Sequence, residues 1–218
     1  MGNEELVEVV RNHPVFLYYK TPRDERVLEA LGKADRAEFL PEYIRNLAYL
    51  DRPLSIGHLQ TCSQPSVVAF MADVLELSSG MNVLEVGTGC GYHAAVTAHL
   101  VGDGRLTTVE IIPELAEMGR RNLENHFGPI EGKIDVIGGD GSDGHPPNAP
   151  YHRIYYTAAA DMKKFQTGGL LEQLVEDDGI LMFPATDANF YFYRKLRGGL
   201  IKNQFFGVEF VGLTGKYE

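Results

Sequence analysis

The chain has 218 residues, of which 44% are hydrophobic, and this length is enough to bury one substantial core in a single domain. Its formal net charge of -10 at pH 7 argues against a general affinity for nucleic acid or anionic membranes, because phosphates would be repelled over most of the surface. The two cysteines, Cys62 and Cys90, form no CxxC pair and no cluster with metal-ligand spacing, so the sequence indicates neither a disulfide framework nor a metal site.

The first residues carry no recognisable targeting signal. The stretch MGNEELVEVV is acidic where a secretory signal would be basic, and no apolar run is long enough to span a bilayer. The Met-Gly start is similar to a myristoylation signal, but Leu6 stands where that signal needs serine or threonine. We therefore expect an unanchored protein in the reducing cytoplasm, with neither membrane nor nucleic acid among its partners.

The N-terminal segment, residues 1–62, is predicted to be helical with irregular joints. Residues 21–25, TPRDE, predict a helix start, because a proline's missing N–H is harmless in the first turn and acids there face the positive end of the helix dipole. Gly32 is the predicted end of that helix. Pro41 is predicted to open a short helix, and residues 46–62 are predicted to form an ordered loop.

The second segment, residues 63–218, is predicted to be an α/β unit. Ser63-Gln64-Pro65 predicts a helix start, and from residue 81 strands and helices alternate. The predicted strands are Met81–Val86, Arg105–Glu110, Ile134–Ile137, Arg153–Thr157 and Ile180–Phe183, and the predicted helices are Tyr92–Val101, Pro113–Phe127 and Leu170–Val175. Such alternation predicts a mainly parallel sheet covered by helices on both faces.

The last two predicted strands change the character of the sheet. Phe190–Leu196 and Gln204–Leu213 are separated by a turn at Gly198-Gly199, which predicts an antiparallel hairpin at the far edge. We therefore expect an α/β fold with a Rossmann-like, doubly wound, mostly parallel sheet, an antiparallel C-terminal edge and an N-terminal helical extension. The two segments are expected to form one structural unit.

Three successive strands deliver ligand-type residues to one edge of this sheet. The stretch VLEVGTGCGY, residues 83–92, is a strand running into a GxGxG loop that lets the backbone approach a ligand closely. Glu110, at the end of the next strand, can accept hydrogen bonds from both ribose hydroxyls, and Asp140 can accept one from an adenine amino group. Tyr92 stands where a dinucleotide fingerprint needs its third glycine, so a nicotinamide-dependent oxidoreductase ranks last.

This order of motifs between Val83 and Gly141 resembles the class I S-adenosylmethionine-dependent methyltransferases. The resemblance implies S-adenosyl-L-methionine as cofactor and no metal. The implied cofactor-binding residues are Glu85, Gly87, Thr88, Gly89, Glu110, Ile111, Asp140, Gly141 and Thr157. Because the sulfonium is cationic, a carboxylate such as Glu85 beside it would be electrostatically favourable, whereas a phosphate-bearing cofactor would favour basic residues.

Motifs on both sides of this region narrow the family. Arg36 to Pro41 reads RAEFLP, Ala48 to Asp51 reads AYLD, and Gly57 to Pro65 reads GHLQTCSQP. With residues 157–159, 170–174 and 210–216, these stretches resemble the protein-L-isoaspartate O-methyltransferases from about residue 36 to the end. The resemblance implies a protein carboxyl O-methyltransferase that methylates L-isoaspartyl residues in damaged proteins or peptides as a repair reaction.

The resemblance places the substrate site at Thr61 to Ser63. Ser63 is implied as the catalytic residue, with Thr61, Cys62 and His58 binding the substrate. The attacking carboxylate is ionised at pH 7, so positioning rather than proton removal is required. On local sequence alone, Ser63 before Gln-Pro is more often a helix N-cap than a catalytic residue.

Several departures from the family pattern leave substrate choice open. Cys62 replaces a usual isoleucine, Cys90 a common serine and Gly212 a usual proline, and the loop at 142–147 is altered. One alternative is a relative that methylates aspartate of a dedicated peptide or another carboxylate, and a second is a non-catalytic S-adenosylmethionine-binding module. The sequence does not fix the oligomeric state, although we expect a monomer.

Overall fold

A mixed seven-stranded sheet organises the fold, as the α/β prediction requires. The computed structural model describes residues 2–19, 24–207 and 210–216. Strands β1 (Leu54–Gly57) and β2 (Gln60–Cys62) form a separate hairpin, and the large sheet contains β3 (Asn82–Val86), β4 (Arg105–Glu110), β5 (Ile134–Gly138), β6 (Arg153–Tyr156), β7 (Gly179–Pro184), β8 (Asn189–Leu196) and β9 (Gly199–Phe206).

The strand order in the large sheet is β5-β4-β3-β6-β7-β8-β9. The pairs among β3 to β7 are parallel, and β8 is antiparallel to both β7 and β9. The order therefore reverses between β3 and β6. Ligands of open α/β sheets bind beyond the carboxyl ends of the strands at such a reversal.

Eight α-helices lie within the described ranges. They are α1 (Asn3–Arg11), α2 (Pro14–Tyr19), α3 (Glu25–Lys33), α4 (Arg36–Phe39), α5 (Pro65–Val74), α6 (Tyr92–Val101), α7 (Pro113–Phe127) and α8 (Gly168–Glu172), with 3-10 turns at Glu42–Leu47 and Pro146–Asn148. None of these helices is both long and apolar enough to cross a membrane.

Side chains alternate between two hydrophobic cores on the two faces of the sheet. Val83 and Tyr155 pack in the core that also contains the N-terminal helices, whereas Leu84 and Tyr156 pack in the core on the other face. This two-residue period is the signature of strands buried on both sides. The division at residue 62 stays a prediction.

The N-terminal segment departs from the prediction in detail. Residues 46–62 do not form a simple loop, because they include part of a 3-10 turn and the β1–β2 hairpin. Helix α3 continues through Gly32 to Lys33, and Asp24 caps its start by accepting a hydrogen bond from the Arg26 backbone N–H at 2.9 Å. The Thr21-Pro22 part of the predicted start lies outside the described residues.

The C-terminal hairpin forms, but its second strand lies earlier in the chain than the predicted Gln204–Leu213. Strand β9 pairs from Gly199 directly after a two-residue turn, so it ends at Phe206 and does not reach Leu213. The tail instead returns beside the residues that follow β6, where the Ala159 N–H donates to the Val211 carbonyl at 2.7 Å and the Leu213 N–H donates to the Ala159 carbonyl at 2.8 Å. Helix α8 likewise begins and ends earlier than predicted.

Candidate active site

A cavity of about 720 Å³, including its solvent-open mouth, lies at the carboxyl ends of β3, β4 and β6. The predicted site residues on its wall are Thr61, Cys62, Ser63, Gly87, Thr88, Gly89, Glu110, Ile111, Gly141 and Thr157. The structure therefore brings the predicted cofactor loop and the predicted substrate segment to one cavity.

The glycine loop has a backbone that side chains would disrupt. Gly87 has φ +102°, and a Cβ atom there would lie 2.1 Å from Thr157 Oγ1. Thr157 is held in place because its hydroxyl donates to the Gly87 carbonyl at 2.7 Å. Gly91 also has positive φ, and its Cβ would lie 3.1 Å from the Gly119 carbonyl oxygen on α7. Only glycine combines this backbone with this packing.

Glu110 is the one carboxylate among the described lining residues. Its side chain is only 6% exposed, and its two oxygens accept hydrogen bonds from the Gly89 N–H at 2.8 Å and the Ile112 N–H at 3.0 Å. These bonds fix the carboxylate at the end of β4 and join it to the glycine loop. Each oxygen retains a further lone pair for a ligand hydroxyl.

Glu85 does not lie on the cavity wall, contrary to the expectation that it borders the sulfonium. It is fully buried beneath the loop, where its oxygens accept hydrogen bonds from Thr108 Oγ1 at 2.5 Å and Tyr155 OH at 2.9 Å. Burial raises the pKa of Glu85 to about 8, which favours the protonated carboxyl at pH 7. Its predicted role as a counter-charge has no support in this structure.

Asp140 lies off the cavity wall in this structure, and its predicted contact with an adenine amino group stays a prediction. Its side chain is exposed and off the cavity wall, and its oxygens accept hydrogen bonds from the backbone N–H groups of Ser142 at 2.9 Å and Lys216 at 2.8 Å. These bonds hold the pKa of Asp140 below its usual value even though burial opposes them. In this structure Asp140 ties the C-terminal tail to the sheet edge.

Ser63 is on the cavity wall and is not the N-cap of α5. The cap position is Gln64, and the Ser66 N–H in the first turn donates instead to Asp51 Oδ1 at 2.9 Å. No hydrogen bond of Ser63 Oγ is found within the described part of the chain, whereas its carbonyl accepts one from Arg36. The capping interpretation is therefore wrong, and the hydroxyl is available to a ligand.

Arg36 holds the substrate segment, Thr61 to Ser63, in place. Its guanidinium is fully buried and donates to five backbone carbonyls, those of Ala48, Leu50, Arg52, Cys62 and Ser63, at 2.9 to 3.3 Å. It also lies 5.7 Å from the centre of the Tyr92 ring. One side chain thus connects the residues before β1 with the residues after β2, a role that the sequence did not reveal.

His58 is not brought to the cavity. It lies with Leu59 at the tip of the β1–β2 hairpin, where both residues have positive φ, +52° and +59°. The His58 side chain is exposed, and Leu59 is 93% exposed. Two-residue hairpin turns require this backbone, which explains why His58 points away from the site that its neighbours line.

Other wall residues were not predicted. Tyr92 and His93 are buried on the wall, and neither the Tyr92 hydroxyl nor the His93 ring nitrogens have a hydrogen-bond partner among the described residues. Burial lowers the pKa of His93 to about 3, so its ring is neutral. Tail residues 211–214 close the opposite side. The available sequence signals were that 92 and 93 directly follow the glycine loop and that the tail matches a family motif.

The electrostatics of the wall indicate which ligands fit. Among the described lining residues there is no lysine or arginine, and the charged side chain is the Glu110 carboxylate. Ser63 presents its hydroxyl on the wall, whereas the polar atoms of Tyr92 and His93 are themselves buried. The cavity therefore suits a neutral or cationic nucleoside with polar substituents better than a phosphorylated one.

Comparisons with known proteins agree with this reading of the cavity. The family model for protein-L-isoaspartate(D-aspartate) O-methyltransferase matches residues 1–218. Protein-L-isoaspartate O-methyltransferase 1 of Archaeoglobus fulgidus is 46% identical over 201 residues, covering 88% of this chain and 87% of the relative. The Methanococcus vannielii enzyme of that name is 43% identical over 216 residues, covering 98% and 99%.

Solved structures give the same result for the fold. One described as protein-L-isoaspartate O-methyltransferase has a TM-score of 0.82 at 26% identity and covers 99% of this chain and 67% of its own. A Plasmodium falciparum structure in complex with S-adenosyl-L-homocysteine has a TM-score of 0.80 at 20% identity, covering 98% and 99%.

Proposed function

The chain belongs to the protein-L-isoaspartate(D-aspartate) O-methyltransferase family, and from this membership we propose how its own residues perform the family's reaction. That reaction transfers a methyl group from S-adenosyl-L-methionine to the free carboxylate of an L-isoaspartyl residue. The observation that carries the proposal is that the glycine loop with Glu110 and the segment Thr61 to Ser63 line the same cavity.

The cavity fits S-adenosyl-L-methionine, which supplies a methyl group on a cationic sulfonium when it is bound. Glu110 accepts the ribose hydroxyls on its free lone pairs, because both of its oxygens are already fixed by backbone N–H groups. Gly87 and Gly89 let the loop backbone approach the ligand closely, and Thr157 holds Gly87 in that conformation.

The substrate carboxylate needs orientation and not activation. A side-chain carboxylate with an ordinary pKa of about 4 is ionised at neutral pH, so no general base is required. The Ser63 hydroxyl donates to one carboxylate oxygen, and Thr61 contributes a second hydroxyl from the same wall. Orientation of this kind lowers a barrier by several kcal/mol, about 7 in favourable cases. Ser63 is therefore the proposed catalytic residue.

Repair follows from the chemistry of the product. Methoxide leaves a methyl ester much more readily than oxide leaves a carboxylate, so the backbone nitrogen can attack the ester carbonyl, release methanol and close a succinimide without the enzyme. Hydrolysis of the succinimide then returns part of the material as normal aspartate. The proposed partners are therefore isoaspartyl proteins and peptides, and a reducing cytoplasm is consistent with the free thiols of Cys62 and Cys90. The monomeric state stays a prediction.

The altered loop at 142–147 is the feature that motivates the alternative of a dedicated aspartyl substrate. This loop packs against the residues that follow α8 and precede β6, since the His145 N–H donates to Gln173 at 2.9 Å and its carbonyl accepts from Tyr151 OH at 2.6 Å. Ser142 itself is buried, and none of the loop's six residues is among the described residues that line the cavity. The loop therefore gives no reason to prefer an aspartyl substrate.

The test of the function is labelled methyl transfer to a synthetic isoaspartyl peptide and to its aspartyl isomer. We expect transfer to the isoaspartyl peptide at least about tenfold faster, because the two carboxylates sit at different distances from the backbone. Equal rates, or preference for the aspartyl isomer, would assign the cavity to another carboxylate. S-adenosyl-L-homocysteine binding without transfer to either peptide would indicate the non-catalytic module.

A further inference from the structure

Two thiols meet where the substrate segment touches the cofactor loop. Cys62 ends β2, and Cys90 lies between Gly89 and Gly91 of the glycine loop. Both are free and buried, at 3% and 2% exposure, and both line the cavity. Each thiol also shifts the pKa of the other, so the two side chains are neighbours. Isoleucine and serine are usual at these positions in the family that the chain resembles, and that combination could not form a disulfide.

The surroundings make the two thiols chemically different. The neighbouring Cys90 thiol and the Arg36 guanidinium lower the pKa of Cys62 against the opposing effect of burial. The Cys62 thiol, together with burial, raises the pKa of Cys90. Cys62 is therefore the thiol that ionises, and a thiolate is the form that reacts with oxidants.

We propose that Cys62 and Cys90 form a modification site, a thiol pair that a peroxide converts into a disulfide bridging the substrate segment and the cofactor loop. The Cys62 thiolate attacks one peroxide oxygen, which breaks the O–O bond, gives a sulfenic acid and releases water after proton uptake. The Cys90 sulfur then attacks the Cys62 sulfur and displaces its oxygen as a second water. Two thiols and one hydrogen peroxide give one disulfide and two waters.

The bridge would act on both halves of the active site. A disulfide draws its sulfur atoms to about 2.05 Å, much closer than two thiols in van der Waals contact. Cys62 immediately precedes Ser63, and Cys90 follows Gly89, whose N–H donates to Glu110. Displacement of Cys62 would move Ser63, and displacement of Cys90 would move the Gly89 N–H that holds Glu110. The proposed reaction needs both groups in position. A misplacement of about 1 Å can lower a rate roughly 100-fold.

The test begins with the reduced full chain treated with hydrogen peroxide, followed by thiol alkylation and intact-mass measurement. We expect loss of both alkylatable thiols, a mass lower by two hydrogen atoms, and at least about tenfold slower methyl transfer that a dithiol reductant restores. Because the thiols line the cavity, saturating S-adenosyl-L-homocysteine should slow the oxidation. The mass measurement needs no activity, so it separates this inference from the proposed function.

The matched variants are Cys62→Ile and Cys90→Ser, which carry the residues usual in the family. Each is compared with its own reduced form, and we expect no intramolecular disulfide and a smaller peroxide-dependent loss of methyl transfer than in the parent. Persistence of both thiols under peroxide would overturn the inference. So would sulfinic acid without a disulfide, or a disulfide-bonded protein that retains full activity.

Discussion

At the scale of single residues, Ser63 differs from an ordinary helix-start serine because a distant residue does the capping. Asp51 accepts the hydrogen bond from the Ser66 N–H, so the hydroxyl of Ser63 is left for the cavity. Local sequence could not reveal this arrangement, since the capping carboxylate lies 15 positions away from the N–H that it caps. A substitution pair can separate the two roles.

We expect Ser63→Ala to reduce the rate constant for methyl transfer roughly 10- to 100-fold, the loss of one hydrogen bond to a charged group. Its unfolding free energy should change by less than about 0.5 kcal/mol, because no cap is lost. Asp51→Ala should instead cost about 1 kcal/mol of stability. Peptide kinetics and urea denaturation measure both effects. Strong destabilisation of Ser63→Ala would show that Ser63 does cap the helix.

Glu110 and Glu85 are two carboxyls with opposite environments. Glu110 accepts two backbone N–H groups beside the cavity, whereas Glu85 is sealed among hydroxyl groups beneath the loop. The sequence predicts both glutamates as cofactor-binding residues, because each lies at or near the carboxyl end of a strand. Burial, which depends on the packing of other strands, decides which of them meets the ligand.

For Glu110→Gln we expect S-adenosyl-L-homocysteine to bind about 10- to 100-fold more weakly. A side-chain amide presents one donor where two backbone N–H groups need acceptors, which leaves one of them unpaired. Isothermal titration calorimetry gives the dissociation constant directly. Glu114→Gln, an exposed change in the first turn of α7, is the matched control and should bind like the parent. Parent-like affinity of Glu110→Gln would remove Glu110 from the cofactor site.

Glu85 makes a prediction about pH. Its folded-state pKa of about 8 lies above the ordinary value of 4.5, so its stabilising contribution is complete below about pH 4.5 and is lost as pH rises to about 8. The parent should therefore lose stability relative to Glu85→Gln over that window, by at most about 1.4 kcal/mol per pH unit. Urea denaturation of both proteins at several pH values measures the difference, and parallel profiles would place the carboxyl in a more polar environment than the structure does.

At the scale of elements, the buried guanidinium of Arg36 holds the substrate segment, Thr61 to Ser63, in place. The five carbonyls that it satisfies belong to residues flanking the β1–β2 hairpin, so the hairpin and Ser63 are positioned by α4. A planar guanidinium can bond several carbonyls at once, whereas an ammonium is a compact group with three donors. The type of side chain therefore matters more than its charge.

Arg36→Lys should lower the unfolding free energy by about 2 to 5 kcal/mol, because several buried carbonyls lose their donor and the ammonium is poorly paired. Arg52→Lys, at an exposed position in the same segment, is the control and should stay within about 0.5 kcal/mol of the parent. Chemical denaturation followed by circular dichroism measures both. Equal stability of the two variants would show that the hydrogen bonds of the Arg36 guanidinium are dispensable.

The bounds of an element could be predicted where the residue that ends it lies next to it in the sequence. Helices α6 and α7 and strand β4 have the predicted bounds, since glycine follows each helix and a strand-end acid closes β4. The β1–β2 hairpin could not be predicted, because His58 and Leu59 adopt a turn backbone that is unusual for such residues. The end of β9 was missed because its register is set by pairing with β8.

At the scale of the whole molecule, the sheet architecture and the meeting of two motifs in one cavity could be predicted from the sequence. The alternation of strands and helices fixes which strand ends share an edge. What could not be predicted depends on contacts between distant segments. Asp140 binds the returning tail at Lys216, and Arg36 binds the segment around Ser63, and no local pattern encodes either contact.

The central claim is that an isoaspartyl carboxylate is held by Ser63 opposite the cofactor loop. A crystal structure with S-adenosyl-L-homocysteine and an isoaspartyl peptide measures this directly. We predict the peptide carboxylate within hydrogen-bond distance of Ser63 Oγ, about 2.5 to 3.0 Å, and the ribose hydroxyls on Glu110. A peptide carboxylate bound away from the segment Thr61 to Ser63, with the cofactor product in the cavity, would contradict the account.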